Sequence, residues 1–389
     1  MSKILCIIDG LTDPSFQTND YPKLASMHLL RHIHTAQGQE LDTLGCILRL
    51  LGVRRVPSYL HGYAEALGSN ISVGTNDLVF CGNWFALDKQ GRCTVPAPAP
   101  ETVPDMEGCR YYSLGRDKGL LVFPGMAAFV SDIVSFPPYG CSGQYAQQLC
   151  PRGCSAVSYV FQTLLTEERC FLPWGQSVAT RMAPFPQKAA VVCGAPATKG
   201  IARMLGMTLM PVPGATGDVD TDLIEKGKAA LHAAKTHPFV LLHINGADEA
   251  ARCRDPEEKN DFLRKIDDVV LVMLLRSGHE IYVGSSHGTD PVTGRYISGA
   301  QPLFTNVQDN TIRKNPNITE EILKQSQTIE KNRREWAIQQ LQRKAKELGS
   351  MPRKADFGDV EKIQIKAALG PWPRALEAAG LKERKPKRR

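Results

Sequence analysis

Three stretches of the chain decide its fold: ILCIIDG at residues 4–10, FVLLHINGADEA at 239–250 and EIYVGSSHGT at 280–289. Each opens with a short apolar run, which is typical of a strand buried in a parallel sheet. Small and polar residues follow at once. Because α/β proteins bind their ligands at the carboxyl edge of such a sheet, Asp9 is a candidate ligand. The alternative is that Asp9 only caps a turn.

The same alternation runs through much of the first 307 residues. Predicted strands at 4–8, 189–193, 208–211, 239–244 and 281–284 alternate with predicted helices such as 221–234 and 257–276. This pattern predicts an α/β fold with a parallel sheet flanked by helices on both faces. Residues 92–186 interrupt this alternation of strands and helices, since they are rich in Pro, Gly, Cys and aromatic residues.

Further motifs carry a resemblance to a known family. They are YAEALG at 63–68, KGIAR at 199–203, VPGATGD at 212–218 and DTD at 220–222. Together with the three stretches above, they resemble the archaeal-type, cofactor-independent phosphoglycerate mutases of the alkaline phosphatase superfamily. The resemblance covers most of residues 1–307 and is weakest in the middle third. It implies an alkaline-phosphatase-like core formed by residues 1–91 and 187–307, with residues 92–186 as a reduced lid insert.

The resemblance also implies a chemistry. The family interconverts 2- and 3-phosphoglycerate through a serine nucleophile and two divalent cations, which neutralise the transferring phosphoryl group. Counting back from Gly52 places Thr43 at the nucleophile position. The implied ligands for manganese, magnesium or zinc are Asp9, Asp248 and His287. Lys199 is a further candidate catalytic residue.

Three positions depart from the family's ligand pattern. Arg252 and Ile297 stand where the family has histidines, and Ser286 stands where it has an aspartate. Isoleucine cannot bind a cation, and a guanidinium about 4 Å from a dication costs several kcal/mol. The site is therefore expected to hold one metal ion or none. Arg252 either replaces a metal and binds a phosphate, or forms an ion pair with Asp248 four residues earlier.

The substrate side of the family's site is also changed. Tyr59, His61 and Cys81 stand where the family has arginines that would clamp a phosphoglycerate. Loss of these arginine forks argues against tight recognition of a small dianion. His61 and Arg203 remain candidate substrate-binding residues, and the alternative for His61 is a structural role.

Composition adds limits on the kind of protein. The eleven cysteines have irregular spacing, and several lie in apolar runs, which favours reduced buried thiols over disulfides. No apolar run approaches twenty residues, which predicts that the chain has no membrane span. Because residues 1–3 lead directly into the first predicted strand, we expect no signal peptide before Ile4. We expect a cytoplasmic location.

The chain changes character after Val307. The composition of residues 308–330 predicts a linker. Residues 331–389 carry 17 Lys or Arg and 7 Asp or Glu, whereas the rest of the chain carries 30 Lys or Arg and 33 Asp or Glu. Basic charge confined to one segment indicates a polyanionic partner.

This tail also shows Leu-Gly-x-x-Pro at 348–352, Gly-x-Trp at 370–372 and Ala-Leu-x-Ala-Ala-Gly at 375–380. These motifs resemble the homing-endonuclease-associated repeat, a small helical module, and imply nucleic-acid binding. The candidate contact residues are Arg353, Lys354, Trp372 and Arg374. The alternative is a docking module whose basic residues form a solvated face.

Two functions therefore follow from the sequence. The first is a phosphoglycerate mutase, or a related phosphotransferase, that uses Thr43. The second is a degenerate member that binds a phosphorylated small molecule or a partner without turnover and is tethered to nucleic acid by its tail. The sequence does not determine the oligomeric state.

Overall fold

The computed structural model describes residues 2–35, 42–53, 55–297, 299–307 and 334–382. The chain divides into two compact units. The first contains Met1–Pro14 and Thr18–Val307, and the second contains Gln308–Arg389 together with Ser15–Gln17. The two units are described separately.

Strands and helices alternate through the first unit. Its strands are β1 (Lys3–Ile8), β2 (His28–Ile33), β3 (Leu78–Leu87), β4 (Cys93–Pro96), β5 (Arg110–Gly115), β6 (Lys118–Phe123), β7 (Arg169–Ser177), β8 (Ala189–Val192), β9 (Thr208–Leu209), β10 (Phe239–Ile244), β11 (Glu280–Gly284), β12 (Gly288–Thr289), β13 (Tyr296–Ile297) and β14 (Gln301–Thr305). Its α-helices are α1 (Pro22–Ala25), α2 (Thr43–Leu50), α3 (His61–Gly68), α4 (Ser155–Thr163), α5 (Pro196–Met204), α6 (Leu223–Ala234), α7 (Gly246–Arg252), α8 (Pro256–Lys265) and α9 (Val272–Leu275). A π-helical segment, Ile266–Leu271, joins α8 to α9.

The main sheet has seven strands in the order β2-β14-β11-β1-β10-β8-β9. The five strands from β11 to β9 are parallel, as the sequence predicted. β14 and β2 extend the β11 side in antiparallel orientation. An antiparallel edge on a parallel sheet is common. The sequence did not predict β2, because its side chains are mostly exposed and show no apolar run.

Helices cover both faces of this sheet, which confirms the predicted α/β class. Alternate residues such as Leu5 and Ile7 pack on α2, α3 and α5, whereas α6 packs on the opposite face, against β1, β8 and β10. Helices α3 and α5 are in close contact. A Cβ at Gly68 would lie 1.9 Å from the carbonyl oxygen of Pro196, and one at Gly200 would lie 1.9 Å from that of Ala64.

A second, antiparallel sheet is formed by β3 to β7, with β3 pairing with β4, β6 and β7. Helix α4 packs on one face of it through Val157 and Val160, and α3 contacts both β3 and β7. Helix α3 therefore lies between the two sheets. The second sheet begins at Leu78, ahead of residue 92, where the sequence predicted the insert to start.

The second unit is a small helical module. Helix α10 (334–348) is followed by α11 (Asp359–Leu369) and α12 (Trp372–Ala378). Leu341, Ile365 and Leu376 are buried together in its core. The predicted linker at 308–330 lies outside the described residues. Across the described ranges, no helix combines the length and apolar character needed to cross a membrane.

Candidate functional site

Polar side chains from several segments meet where the parallel strands of the main sheet end. We call this group the edge cluster: it consists of Asp9, Thr43, Asp248, Ser286, His287, Thr289 and Tyr296. Gly10 makes the arrangement possible. It has a φ of +72°, and a Cβ there would lie 2.8 Å from the backbone of Asp248. The Asp-Gly pair that ends β1 therefore lets α7 pack directly on the strand end.

Thr43 is the first residue of α2, and its hydroxyl faces the cluster. The preceding residue, Asp42, caps the helix by accepting hydrogen bonds from the backbone of Leu44 and Gly45. Thr43 Oγ1 lies 2.9 Å from His287 Nε2. The ring of Tyr296 stacks on that of His287 with centroids 3.8 Å apart, which holds the imidazole in place.

A chain of hydrogen bonds continues from His287 to a carboxylate. His287 Nδ1 lies 3.3 Å from Thr289 Oγ1, which donates to Asp248 Oδ1 at 2.5 Å. The hydroxyl of Tyr296 donates to the other Asp248 oxygen at 3.4 Å. Burial raises the pKa of Asp248 above its ordinary value, although the charges of His287 and Arg252 oppose the change. Asp248 is thus linked to Thr43 through Thr289 and His287.

Asp9 lies at the end of β1 with both carboxylate oxygens engaged. His243 Nε2 donates to Oδ2 at 2.6 Å, and Ser286 donates to Oδ1. On its other side, His243 Nδ1 lies 3.0 Å from the hydroxyl of Thr198. Burial acts to raise the pKa of Asp9, but His243 outweighs it and holds the pKa below its ordinary value. Asp9 is therefore an ionised carboxylate inside the protein.

Arg252 does not pair with Asp248 as one of the two hypotheses held. Its Nη1 donates to Glu249 at 3.4 Å, because Thr289 and Tyr296 already contact the two oxygens of Asp248. Glu249 also accepts from Lys118 at 2.5 Å. Arg252 Nη2 is buried and has no hydrogen-bond partner among the described residues. A buried unpaired guanidinium nitrogen is costly unless a ligand accepts from it.

The implied metal ligands do not form a ready site. Within the part of the chain that the structure describes, Asp9, Asp248 and His287 do not bring their ligand atoms within 4.8 Å of one another. Their ligand atoms contact protein groups instead: His243, Ser286, Thr289 and Thr43. Ile297 is in β13, where it pairs with Gly288. As they stand, these residues do not fit the two-metal centre that the resemblance implies.

The remaining predicted residues lie outside the edge cluster. Lys199 and Arg203 are both on α5, where Lys199 is half-buried and Arg203 is exposed. The guanidinium of Arg203 donates to the carbonyl of Leu67. His61 begins α3, and its Nδ1 lies 2.7 Å from Asp42 Oδ1. Together with Asp42 and Trp174, His61 lines a cavity of about 360 Å³ next to the start of α2.

Sequence reasoning missed four residues of this region: Thr198, His243, Thr289 and Tyr296. His243 gave a usable signal, since it is the one ionisable residue in the otherwise apolar run of β10. Thr289 also stands within the stretch quoted for β11. Tyr296 gave none, because it reaches His287 only through the two-residue pairing of β12 with β13.

Two family models match the chain. Residues 176–306 match the metalloenzyme superfamily. Residues 333–382 match the homing endonuclease associated repeat.

Curated relatives carry a more particular description. The chain is 38% identical over 266 residues to 2,3-bisphosphoglycerate-independent phosphoglycerate mutase 1 of Methanocaldococcus jannaschii, an alignment that covers 57% of this chain and 64% of the relative. It is 37% identical over 117 residues to the corresponding mutase of Saccharolobus islandicus, covering 27% of this chain and 28% of the relative. The chain therefore spans less than two thirds of these relatives.

A solved structure agrees on the fold. The PH0037 protein from Pyrococcus horikoshii superimposes with a TM-score of 0.56 at 20% sequence identity, over 78% of this chain and 87% of that one. The fold is thus α/β, and residues 176–306 of the chain match the metalloenzyme superfamily. More particularly, the predicted resemblance to the cofactor-independent phosphoglycerate mutases is confirmed, as is that of the tail to the homing-endonuclease-associated repeat.

Proposed function

We propose that the edge cluster is a phosphoryl-transfer site of the phosphoglycerate mutase type, with Thr43 as the nucleophile. The contact of 2.9 Å between Thr43 Oγ1 and His287 Nε2 carries the proposal. A hydroxyl needs a base within hydrogen-bond reach, and the base needs a third group to orient it. Here His287 is the base, and Thr289 and Asp248 orient it.

The proton movements follow from these contacts. As Thr43 Oγ1 bonds to the phosphorus of a phosphomonoester, its proton passes to His287 Nε2 and the bond from phosphorus to the substrate oxygen breaks. The leaving oxygen takes up that proton, which leaves a phosphothreonine and a free hydroxyl. Return of the phosphoryl group to a different hydroxyl of the same molecule completes a mutase cycle.

Arg252 supplies a group for the phosphate. Its unpaired Nη2 is buried beside Asp248, and a phosphate oxygen is a strong acceptor for a guanidinium. The superfamily's metal, whether manganese, magnesium or zinc, would supply further charge neutralisation. Since the residues do not form a ready centre for it, the steps above depend on the chain's own groups.

A second candidate function is binding of a phosphorylated small molecule without transfer. The changed metal-ligand positions Arg252, Ser286 and Ile297 favour it, because transfer in the family relies on the cations that these positions would hold. Under this second function, mutase turnover with 3-phosphoglycerate is expected to be absent or very weak, even with added manganese. Binding of the phosphate would then depend on Arg252. Separately, the cytoplasmic location expected from the sequence stays a prediction.

One experiment separates the two functions. The full chain is incubated with 3-phosphoglycerate, with and without manganese, and Thr43 is examined for phosphate by mass spectrometry while ligand affinity is measured by calorimetry. We expect phosphothreonine at position 43, with its rate of formation reduced about 10²-fold or more in His287→Gln. Thr163→Ala, at a half-buried position on α4, is the matched control.

The outcomes are distinct. Binding that survives Thr43→Ala but is lost in Arg252→Met, without phosphothreonine in the wild type, would establish the binding function. Absence of both binding and phosphothreonine would reject both functions for this ligand class. Transfer that persists at the wild-type rate in His287→Gln would overturn the assignment of the base.

We propose further that the second unit binds nucleic acid. Its match to the homing endonuclease associated repeat and the basic surplus of residues 331–389 support this. Arg353, Lys354 and Arg374 are exposed. Trp372 packs instead in the module core, with its ring 5.4 Å from that of Phe357 and its Nε1 donating to the carbonyl of Pro352. Its contribution to binding is therefore structural.

Binding to a mixed-sequence duplex tests this proposal. The full chain should bind at low salt and weaken steeply as salt rises, because phosphate contacts release counterions. A truncation ending at Asn310 should lose this binding. Trp372→Ala should unfold the module, at a cost of about 3 kcal/mol or more, whereas Leu348→Ala, at an exposed position, serves as the control. Equal binding by the truncated and full chains would assign the affinity to the first unit.

A further inference from the structure

A second group of ligand-type side chains, none of which belongs to the edge cluster, lies where α3 packs on β3 of the second sheet. The imidazole of His61, the carboxylate of Glu65 and the thiol of Cys81 bring their ligand atoms within 4.8 Å of one another. Each of these residues is at most 9% exposed. With Asp42 beside them, we call these residues the α3 cluster. Three buried side chains with nitrogen, oxygen and sulfur donors need a reason to converge.

We propose that His61, Glu65 and Cys81 bind a single zinc ion. Zinc takes imidazole, carboxylate and thiolate ligands in tetrahedral sites, and three protein ligands leave a fourth position for water or another ligand. Calcium and magnesium prefer oxygen donors, so this mixed set selects against them. The proposal is independent of the function proposed for the edge cluster.

The local fold positions these ligands. His61 and Glu65 are four residues apart on α3 and so share a face of the helix, with His61 Nε2 lying 3.5 Å from Glu65 Oε1. Cys81 comes from β3. Gly175 of β7 covers the group at close range, since a Cβ there would lie 2.8 Å from the Cys81 sulfur and 3.0 Å from His61 Cβ. A larger residue at 175 would push these ligands apart.

Asp42 supplies the feature that most favours a metal. Its Oδ1 lies 2.7 Å from His61 Nδ1, which leaves Nε2 directed toward Glu65. Zinc-binding histidines commonly use their second nitrogen in this way, with a carboxylate fixing the orientation of the ring. His61 also lines the cavity of about 360 Å³, which offers a route of entry for the ion.

The neighbours of His61 and Cys81 favour the protonated forms of both side chains in the absence of metal. Burial acts against the charged imidazole, but Asp42 and Glu65 raise the pKa of His61 to about 10. Burial and the same two carboxylates hold the pKa of the Cys81 thiol well above its ordinary value, and Lys118 opposes this. Lys118 is itself paired with Glu249 at 2.5 Å. Exchange of two protons, one from His61 and one from Cys81, for one dication leaves the total charge unchanged.

This exchange gives the proposal a quantitative test. If two protons leave for each zinc bound, the affinity should rise about 100-fold per pH unit near neutrality. The affinity of the full chain is measured by competition with a chelator at several pH values. The cobalt-substituted protein is examined for the thiolate-to-metal absorption that a cysteine ligand produces.

Variants assign the site. Cys81→Ser and His61→Gln should abolish the tight site, and Asp42→Asn should weaken it about 10- to 100-fold. Cys253→Ser, at an exposed thiol, and His287→Gln, in the edge cluster, should leave it unchanged. Circular dichroism checks the folding of each variant.

Each result is decisive. A cobalt–thiolate band in the Cys253→Ser protein that is lost with Cys81→Ser supports the site. Failure of the wild-type chain to bind zinc near pH 8, or zinc binding that is lost in His287→Gln but kept in Cys81→Ser, would overturn it. If Cys81→Ser does not fold, the test uses the Cys253→Ser protein, which keeps Cys81. Absence of the cobalt–thiolate band in that protein would overturn the proposal.

Discussion

The edge cluster and the α3 cluster are two polar groups of the same unit, and they differ in what their side chains contact. In the edge cluster, the residue types match those of metal ligands, yet Asp9 and Asp248 accept from Ser286 and Thr289. In the α3 cluster, the sequence predicted a substrate-binding histidine. There the structure brings three ligand-type side chains within 4.8 Å of one another.

The difference teaches that residue type alone does not predict a metal site. Ser286 stands where the resemblance implies an aspartate ligand, and its hydroxyl donates to Asp9 instead of binding a cation. An acceptor that already receives a hydrogen bond must give it up before it can bind a metal. The hydroxyl groups of the edge cluster therefore stabilise it without metal.

The largest effect that would test this comparison is expected at Asp9. Asp9→Ala removes a fully buried carboxylate and leaves His243 and Ser286 without their acceptor. We expect a loss of about 4 kcal/mol in the free energy of unfolding, because breaking a buried pair leaves a buried polar partner uncompensated. Urea denaturation with chelator present measures the loss.

The matched control is Asp261→Ala, since Asp261 forms an exposed pair with Arg264 on α8. It should cost less than about 1 kcal/mol. If Asp9→Ala is as mild as the control in chelator but severe in the presence of divalent metal, then Asp9 is stabilised by the ion and not by His243 and Ser286. The description of the edge cluster as complete without metal would then be wrong.

Much of the fold was accessible from the sequence because its signals are local. The apolar runs at 4–8 and 239–244 lie within a residue of β1 and β10. The antiparallel strands β2 and β14 could not be predicted from the sequence, since their pairing joins residues about 270 positions apart and leaves β2 exposed.

The site was accessible only where a family motif marked it. Thr43, Asp248 and His287 are linked in the structure through Thr289, but no spacing in the sequence predicts that link. Arg252 was expected to pair with Asp248 or a phosphate. Its guanidinium donates to Glu249 instead, because the hydroxyls of Thr289 and Tyr296 contact both oxygens of Asp248. Partner choice in a buried network is a property of the tertiary structure.

A smaller effect concerns the α3 cluster and pH. The pKa of His61 is raised to about 10 from a value of 6.5. A raised pKa means that the folded state binds the proton more tightly, so the stabilisation is complete below about pH 6.5 and is lost as pH rises through about 10. We expect the wild type to lose about 3 kcal/mol of unfolding free energy across this window relative to His61→Gln, with chelator present.

The comparison with His61→Gln is necessary because buried thiols with raised pKa values, such as those of Cys6 and Cys193, also make the protein less stable at high pH. Those contributions are shared by both proteins and cancel in the difference. A difference that stays constant between neutral pH and about pH 10 would show that His61 is not held as a cation. The charge-balanced exchange of protons for zinc would then lose its basis.

The smallest effect is expected for Tyr296→Phe, because the edge cluster depends on the stacking of the Tyr296 ring more than on the hydrogen bonds of its hydroxyl. The Tyr296 hydroxyl lies 3.3 Å from Thr43 Oγ1 and 3.4 Å from Asp248 Oδ2, both long contacts, whereas its ring stacks on His287 at 3.8 Å. Tyr296→Phe keeps the ring and should cost only about 0.5 kcal/mol in unfolding free energy. Tyr296→Ala should cost about 3 kcal/mol or more, because it also removes the packing that orients the imidazole. If the two variants are equally destabilised, the hydroxyl holds the cluster together. Thr43 would then be held by Tyr296 as much as by His287, and the case for His287 as its base would weaken.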